Sequence, residues 1–446
     1  MHGVAETRAR ADWPRLPSWA TPLVIFALLF LAAAAVNLLF GLLLEFRAAP
    51  PQLEMDEQEY YGLATQILSG QFEITPRRTV GYPLVLAGIR LISGDFLFLQ
   101  VVLSVLYSLS APVLFLLIRR LTGSIGTAAL CGLALAFWPP TIFFGTSLYS
   151  ETLALPIFVL ALFLLPAGSR VTGSATPPDL RSAALAGLVL AVATHVRPMY
   201  LIFMPFLLVT ILWEERRLAV AAKRALAAVL GFALLILPWS IYMTTRFHHP
   251  IVVTSNGGET LAGGLNPVLL AMPAQLFVAP VRTSWVGPGK WLTIGETGYL
   301  TPAELRLPYD RQDALLRART TAWVKAHPFS ALYLEVRKLA YMWGIYPVMS
   351  NGAAQALFGN LPLLVLLAVA GVALVRSAEA RTRYVRLWIV PLFVSAVAAI
   401  SWGSWRFRQP GDACLLAFCV IAIVAAWHRR SADITLLRES VSADAR

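Results

Sequence analysis

Charged residues are scarce in this chain. They make up 13% of its 446 residues, whereas hydrophobic residues make up 58%. So few charges, together with many long apolar runs, exclude an ordinary soluble domain and indicate a polytopic membrane protein. The net charge of +12 does not point to nucleic acid, because the basic residues collect beside apolar runs, as the positive-inside rule describes.

Cysteine is also rare, and nucleotide-binding motifs are absent. Cys131, Cys414 and Cys419 all lie inside apolar runs, so neither a disulfide nor a thiol metal site is expected. The chain has no glycine-rich phosphate loop and no Walker-type lysine, which argues against a nucleotide substrate. Its first apolar run is too long for a signal peptide and is not followed by a clear cleavage site of small residues. That run is therefore predicted to be the first transmembrane helix.

About ten transmembrane helices and an all-α fold are predicted. The apolar runs cover residues 22–44, 97–118, 124–140, 146–166, 183–196, 199–213, 225–245, 357–375, 384–402 and 411–427. With both termini in the cytoplasm, the short basic loops fall on the cytoplasmic side. These loops span residues 119–123, 167–182, 214–224 and 376–386. Two interrupted apolar segments, 81–94 and 332–348, are predicted to be interfacial helices on the outer face.

This topology divides the chain into three regions. Residues 1–245 form an N-terminal transmembrane core with a polar first outer loop at 45–96. Residues 246–356 form an extracytoplasmic loop region with an interfacial helix, and residues 357–446 form the last transmembrane helices and a cytoplasmic tail.

The first outer loop contains the stretch MDEQEYYGLATQILSG, residues 55–70. Asp56 and Glu59 have the spacing of a capping box, which predicts that a helix starts here and ends at Gly70. The apolar stripe of this helix comprises Tyr60, Leu63, Ala64, Ile67 and Leu68. A cap explains Asp56, but it leaves the neighbouring Glu57 unexplained.

More ionisable residues lie at the outer ends of the predicted spans. Glu151 stands where an acid is costly, although a carboxylate is also favourable at a helix N-terminus. The arginines are Arg77, Arg78, Arg197, Arg406 and Arg408. Each one alone fits a contact with lipid headgroups. Together, acids and arginines on one leaflet suit a reaction at a lipid phosphate. Arginines stabilise the departing phosphate, and a carboxylate takes a proton from the attacking hydroxyl.

Seven stretches of the sequence resemble one family. They are DEQEYYGLATQILSGQF, RRTVGYPLVLAGI, SLYSETLALP, ATHVRPMYL, TSNGGETLAGGLNP, WVKAHPFSALYLEVRKLAYMWG and RFRQPGDACLLA. In this order they are similar to the GT-C superfamily of integral-membrane glycosyltransferases, in its bacterial family 39-like branch. That branch is akin to protein O-mannosyltransferases and to the lipid A aminoarabinose transferase. The chain departs from the family pattern at Gly264-Leu265, where the family usually has Gly-Asn.

The resemblance implies an inverting glycosyltransferase of the bacterial cytoplasmic membrane, with its active site on the outer face. Its donor would be a polyprenyl-phosphate sugar, its acceptor a glycan, lipid or protein, and nucleic acid is not expected. The expected catalytic residues are Asp56 and Glu57. Candidates for binding the donor phosphate are Arg77, Arg78, Arg197, Lys338, Arg406 and Arg408. Candidates for substrate contacts are Glu59, Tyr60, Tyr82, Glu151 and Asn256.

Several alternatives stay open at this point. Asn256 fits a turn equally well, and Lys338 fits a lysine that extends to lipid headgroups. No structural metal is expected, but a transient divalent cation between Asp56 and Glu151 is an option. A flippase would carry charges in mid-span and two related halves, which the sequence does not show. A non-catalytic subunit of polysaccharide assembly is the other alternative.

Overall fold

The computed structural model describes residues 22–46, 53, 55–71, 73–173, 177, 179–271, 300–344, 361–401, 403 and 405–444. Helices and their connecting turns account for this part of the chain, which contains no strand. The first ten α-helices are α1 (Pro22–Phe40), α2 (Met55–Leu68), α3 (Gly81–Ile92), α4 (Phe96–Ser108), α5 (Ser110–Thr122), α6 (Ile125–Ala136), α7 (Pro139–Gly145), α8 (Glu151–Leu164), α9 (Ser169–Thr172) and α10 (Leu180–Val196).

The second half of the chain is helical as well. Its α-helices are α11 (Phe203–Glu214), α12 (Leu218–Phe247), α13 (Gly257–Gly264), α14 (Pro267–Ala271), α15 (Tyr309–Ala326), α16 (Pro328–Met342), α17 (Leu361–Arg376), α18 (Ala378–Arg383), α19 (Val385–Ile400) and α20 (Gln409–Asp444). A π-helical turn, Gly41–Glu45, extends α1. Short 3-10 helices lie at Pro198–Ile202, Glu304–Arg306 and Trp405–Arg408.

Every apolar run predicted to span the membrane contains a helix in its described part, and residues 357–360 and 402 of two runs lie outside the described residues. Four helices of the described part are long and apolar enough to cross a membrane by length and composition: Pro22–Glu45, Phe96–Thr122, Leu218–Phe247 and Arg406–Ser431. Helices α6 and α7, bent by 60°, make a fifth if the pair counts as one span. The other predicted spans are shorter apolar helices. The all-α, polytopic fold class is confirmed.

The bend between α6 and α7 follows from the sequence Trp138-Pro139-Pro140. A proline has no backbone N–H and fixes φ, so it fits the first turn of a helix but not its interior. Helix α6 therefore ends at Ala136, and α7 begins at Pro139. After α7, the backbone N–H of Leu148 donates a hydrogen bond to Glu57 of α2.

Helices α10 and α12 approach each other closely at two glycines. A Cβ added to Gly187 would lie 1.9 Å from the carbonyl oxygen of Ala228, and one added to Gly231 would lie 2.0 Å from that of Ala184. Small residues allow membrane helices to approach this closely. The contact fixes α12 against α10.

Helix α2 packs on α3 through its apolar stripe. Tyr60 and Ala64 are buried, and the Tyr60 ring meets the Tyr82 ring edge-on at 5.0 Å. Helix α2 ends at Leu68, and Gly70 follows in the left-handed conformation. The predicted amphipathic helix and its end are thus found in the structure.

The two predicted interfacial segments also form helices. The first is α3. The second is α16, which begins four residues earlier than predicted, and residues 345–348 of the predicted segment lie outside the described residues. Helix α16 exposes an apolar stripe of Phe329, Leu332, Tyr333 and Val336, as expected of a helix that lies on a membrane surface.

Candidate active site

Residues from widely separated segments of the chain line one cavity of about 1470 Å³. Its charged wall comes from α2, the turn before α3, the α10–α11 junction and the segment before α20. The predicted site residues in the lining are Asp56, Tyr60, Arg78, Arg197, Asn256 and Arg406. An apolar part includes Met199, Leu201, Ile202, Phe247, Val397 and Phe407, and a further wall is one face of α15.

Asp56 lies between two arginines at the edge of this cavity. Its two carboxylate oxygens accept hydrogen bonds from Arg78, at 2.6 Å, and from Arg406, at 2.9 Å. Burial by itself would raise the pKa of Asp56, but the two guanidinium groups outweigh it and hold the pKa well below its usual range. A carboxylate in this environment is ionised over the whole physiological range.

The capping-box interpretation of Asp56 is wrong. Helix α2 begins at Met55, so Asp56 lies within the first turn instead of preceding it. Its carboxylate binds arginines from distant segments, and Glu59 accepts hydrogen bonds from Arg77 and Arg78. Both acids of the proposed box therefore hold arginines near the cavity.

Glu151 repeats this pattern at the start of α8. The carboxylate is buried and accepts a hydrogen bond from Arg406 at 2.8 Å. It also forms an ion pair with Arg197. Arg406 thus lies between Asp56 and Glu151, in the position considered from the sequence for a divalent cation. Three arginines and two carboxylates form one continuous network here, which we call the cavity network: Asp56, Arg78, Glu151, Arg197 and Arg406.

Aromatic rings cover the arginines of this network. Arg406 lies 3.7 Å from the ring centre of Tyr149, Arg197 lies 4.8 Å from that of Phe407, and Arg78 lies 5.2 Å from that of Tyr60. Cation–π contacts of this kind hold a guanidinium in place without removing its positive charge. The arginines are therefore oriented before any ligand binds.

The structure shows which residue of each adjacent pair, Asp56–Glu57 and Arg77–Arg78, lines the cavity. Asp56 lines the cavity, whereas Glu57 accepts a hydrogen bond from the backbone N–H of Leu148 at 2.9 Å and is not in the lining. Arg78 lines the cavity, whereas Arg77 is bound to Glu59 and Glu259 away from it. Glu57 and Arg77 thus connect segments of the chain around the site.

Besides Arg77, two more predicted phosphate ligands lie outside the cavity lining. Arg408 is buried and binds Asp412 at 2.7 Å. Lys338 is also buried, and its ammonium group donates to Glu335 and to the carbonyl oxygen of Ser401. The alternative of a lysine that extends to lipid headgroups is wrong, because only 3% of Lys338 is exposed. Burial lowers the pKa of this ammonium group, against the opposing effect of Glu335.

The remaining predicted contacts are also placed by the structure. Tyr82 is fully buried, with its hydroxyl 3.3 Å from that of Thr152, so it supports α8 from behind. Asn256 lines the cavity immediately before α13, and its side-chain oxygen accepts a hydrogen bond from Thr254. It makes no side-chain cap.

Sequence reasoning missed Tyr149, Glu259 and Tyr309. Tyr149 and Glu259 lie inside stretches that carry the family resemblance, so a signal was present for both. No sequence motif pointed to Tyr309, which lies after the segment 272–299 that is outside the described residues. Among the described residues no three His, Cys, Asp or Glu side chains are placed to hold a metal ion.

No protein-family model and no curated protein matches the chain. Among solved structures it is similar to the archaeal oligosaccharyltransferase AglB from Archaeoglobus fulgidus, in complex with an inhibitory peptide and a dolichol-phosphate. That match has a TM-score of 0.52 and 16% identity, and it covers 95% of this chain and 52% of AglB. The chain is also similar to ArnT from Cupriavidus metallidurans bound to undecaprenyl phosphate, with a TM-score of 0.41 and 14% identity over 89% of this chain and 76% of ArnT.

At this level of identity the likeness shows the fold, and the chain spans about half the length of AglB. The chain therefore shares the fold of AglB, and it is an all-α membrane protein, as the sequence predicted.

Proposed function

We propose that this protein is a glycosyltransferase that moves one sugar from a polyprenyl-phosphate donor to an acceptor hydroxyl, with inversion. The observation that carries the proposal is the position of Asp56. Its carboxylate faces the cavity between Arg78 and Arg406, with Arg197 in the same wall. A base and a set of phosphate ligands thus lie side by side, which is the combination that this reaction needs.

The chemistry follows from that arrangement. The acceptor oxygen attacks the anomeric carbon, and the bond from that carbon to the phosphate oxygen breaks. Asp56 takes the proton of the hydroxyl, and the guanidinium groups of Arg78, Arg197 and Arg406 bind the phosphate that leaves. One direct displacement inverts the anomeric centre.

Donor binding would also activate the base. In the free protein the two guanidinium groups hold the pKa of Asp56 so low that it is a weak proton acceptor. A phosphate that binds Arg78 and Arg406 neutralises part of their charge and raises the pKa of Asp56. The carboxylate then becomes a better base only when the donor is in place.

The size and lining of the cavity support two substrates. Its volume of about 1470 Å³ exceeds the roughly 300–1,000 Å³ of typical small-molecule sites. The apolar side chains, which include Leu201, Phe247 and Phe407, suit the lipid chain of the donor. The polar face of α15 suits an acceptor, which would be a glycan, a lipid or a protein.

The proposed location is the bacterial cytoplasmic membrane, with both termini in the cytoplasm and the cavity on the extracytoplasmic side. The support is the distribution of charge, because the short loops at the other end of the bundle are rich in arginine. The proposal needs no cofactor, and a divalent cation beside Asp56 and Glu151 would have to displace Arg406.

Replacement of Asp56 tests this function. We expect Asp56→Asn to lower sugar transfer by about 10²- to 10⁴-fold, because the amide cannot accept the proton. The measurement is release of sugar from radiolabelled polyprenyl-phosphate donors by purified protein in detergent, to water or to an acceptor extract.

Glu57→Gln is the matched control. It makes the same acid-to-amide change at the adjacent residue. The glutamine keeps an oxygen that accepts from the N–H of Leu148, so most of the activity should remain. Thermal unfolding checks that the Asp56→Asn variant is folded. Wild-type turnover by the folded variant would refute Asp56 as the base. No release by the wild type with any donor would count against the proposed function itself.

A further inference from the structure

Glu259 connects three segments around the cavity, although it does not line the cavity. It lies on α13 and is 8% exposed. Its carboxylate accepts two hydrogen bonds from Arg77, at 2.8 and 3.1 Å, and one from the Tyr309 hydroxyl. Burial would raise the pKa of Glu259, but Arg77 and Tyr309 outweigh it and hold the pKa below its usual range. Glu259 is therefore present as a carboxylate.

The backbone around Glu259 is fixed from the other side. Its N–H donates to the Asp313 carboxylate of α15 at 2.9 Å. A Cβ added to Gly258 would lie 1.9 Å from the carbonyl oxygen of Asp313, so only glycine allows α13 to lie this close to α15. Helices α13 and α15 therefore form one rigid support for the Glu259 side chain.

The turn at residues 73–80 depends on this support. It carries Arg77 and Arg78 and contains no helix or strand. The backbone N–H of Ser255 donates to the carbonyl oxygen of Pro76 at 2.6 Å, and the next contact along the turn is the Arg77–Glu259 pair. Arg78, one residue further, faces the cavity.

The sharing of Glu59 makes the two arginines dependent on each other. Glu59 accepts hydrogen bonds from Arg77 at 3.1 Å and from Arg78 at 2.9 Å. With Glu259 neutralised, Arg77 would keep Glu59 as its ionised partner and would draw it away from Arg78. Arg78 would then lose part of what orients it beside Asp56.

We propose that Glu259 is a positioning residue that acts through Arg77 to hold Arg78 where the donor phosphate binds. This inference rests on the proposed function, because it assigns the phosphate to Arg78. It also connects the acceptor side of the cavity, formed by α15, to the donor side through Tyr309 and Asp313.

Binding of undecaprenyl phosphate to purified protein in detergent tests this inference without turnover. We expect Glu259→Gln to raise the Kd by about 10- to 100-fold, since losing a well-oriented charge-assisted hydrogen bond from Arg78 to the phosphate weakens binding by roughly this factor. Turnover at saturating donor should fall much less. That difference between binding and turnover would not arise from general loss of structure.

Glu304→Gln is the matched control. Glu304 also accepts two hydrogen bonds from one arginine, Arg319, at 2.6 and 2.8 Å, but neither residue contacts the turn at 73–80. Its Kd should equal that of the wild type. If Glu259 acts through Arg77, the double variant Arg77→Gln/Glu259→Gln should bind no more weakly than Arg77→Gln alone.

The outcomes separate the two proposals. Wild-type protein that does not bind undecaprenyl phosphate would overturn the proposed function and this inference with it. Binding by the wild type with an unchanged Kd for Glu259→Gln would overturn the inference alone, as would fully additive effects in the double variant. Should Glu259→Gln fail to fold, Tyr309→Phe removes one hydrogen bond from the same carboxylate. A rise of a few-fold in its Kd would support the inference, and no change would refute it.

Discussion

Two networks of acids and arginines lie at opposite ends of helix α8. The first is the cavity network. The second, which we call the far-end network, consists of Ser169, Glu214, Glu215, Arg224 and Arg386. Helix α8 runs between them, from Glu151 to Leu164, so they lie roughly 20 Å apart. Both are built from Arg–Glu pairs.

The two networks differ in what surrounds their arginines. Arg386 is completely buried. It binds Glu214, and it donates to the carbonyl oxygens of Leu162 and Leu165 at 3.1 and 2.9 Å. These carbonyls at the end of α8 would otherwise lack partners. Arg78, Arg197 and Arg406 instead face a cavity, and no residue of the far-end network lines it.

This difference separates a structural network from a site. An arginine that is enclosed by carbonyls and a carboxylate has no direction left in which to bind a ligand. An arginine that is held by carboxylates behind it and faces a cavity presents its charge to a ligand. Perturbed or buried charges alone therefore did not identify the site, and access to the cavity did.

The largest expected difference between the two networks is in the free energy of unfolding. We expect Arg386→Met to destabilise the protein by about 3–5 kcal/mol, because it leaves the Glu214 carboxylate buried without its partner. Thermal and denaturant unfolding in detergent measure the change. Arg406→Met should cost less, because the cavity lets water reach Asp56.

A double variant sharpens the same prediction. Arg386→Met/Glu214→Leu removes both charges, and replacing a buried pair by apolar residues is often close to neutral. It should recover much of the lost stability. An equal loss in Arg386→Met and Arg406→Met would erase the distinction between the two networks.

The next effect is a change in pH dependence. The pKa of Asp56 is held well below its usual range, so in the wild type kcat/KM should show no acidic limb from this residue above about pH 4. Removal of a neighbouring cation raises the pKa of a carboxyl group. Arg406→Met should therefore move the acidic limb of kcat/KM upward by about one to two pH units.

The pH profile of each variant, normalised to its own maximum, measures that shift. Arg383→Met is a suitable control, since it removes one positive charge far from the cavity. Identical profiles for wild type and Arg406→Met would show that Arg406 does not set the pKa of Asp56.

The smallest expected effect is a change in stability at an exposed acid–arginine pair, which serves as a reference for the buried pairs. Glu379 and Arg383 form an ion pair at 3.3 Å on α18, with 73% of the Glu379 side chain exposed. Glu379→Gln should change the free energy of unfolding by no more than about 0.5 kcal/mol. A change as large as that of Arg386→Met would mean that burial does not govern these pairs.

The sequence predicted the fold class and most of the charged residues of the site. Ionisable residues at the ends of apolar runs are costly, so Asp56, Glu151, Arg197 and Arg406 were recognisable as unusual. Their common leaflet followed from the charge of the loops. These signals are local, so they can be recognised in a single sequence.

The pairing of these residues could not be predicted. Neighbouring residues in an extended turn point to different sides, so only the path of residues 73–80 decides that Arg78 and not Arg77 faces the cavity. The burial of Lys338 depends on Ser401, and that of Arg408 on Asp412 and Met342. Such contacts come from the packing of distant helices, which no local pattern records.

The glycine contact between α10 and α12 has a mechanical consequence. Helix α12 is pressed against α10 at Gly231, while its end at Phe247 forms part of the cavity wall. Phe247 comes sixteen positions after Gly231, which corresponds to a lever arm of about 24 Å. A tilt of about 5° at this pivot would displace Phe247 by about 2 Å for a rigid rod of that length. The width of the cavity is therefore set in part by an apolar contact in the middle of the bundle, far from any residue that would touch a substrate.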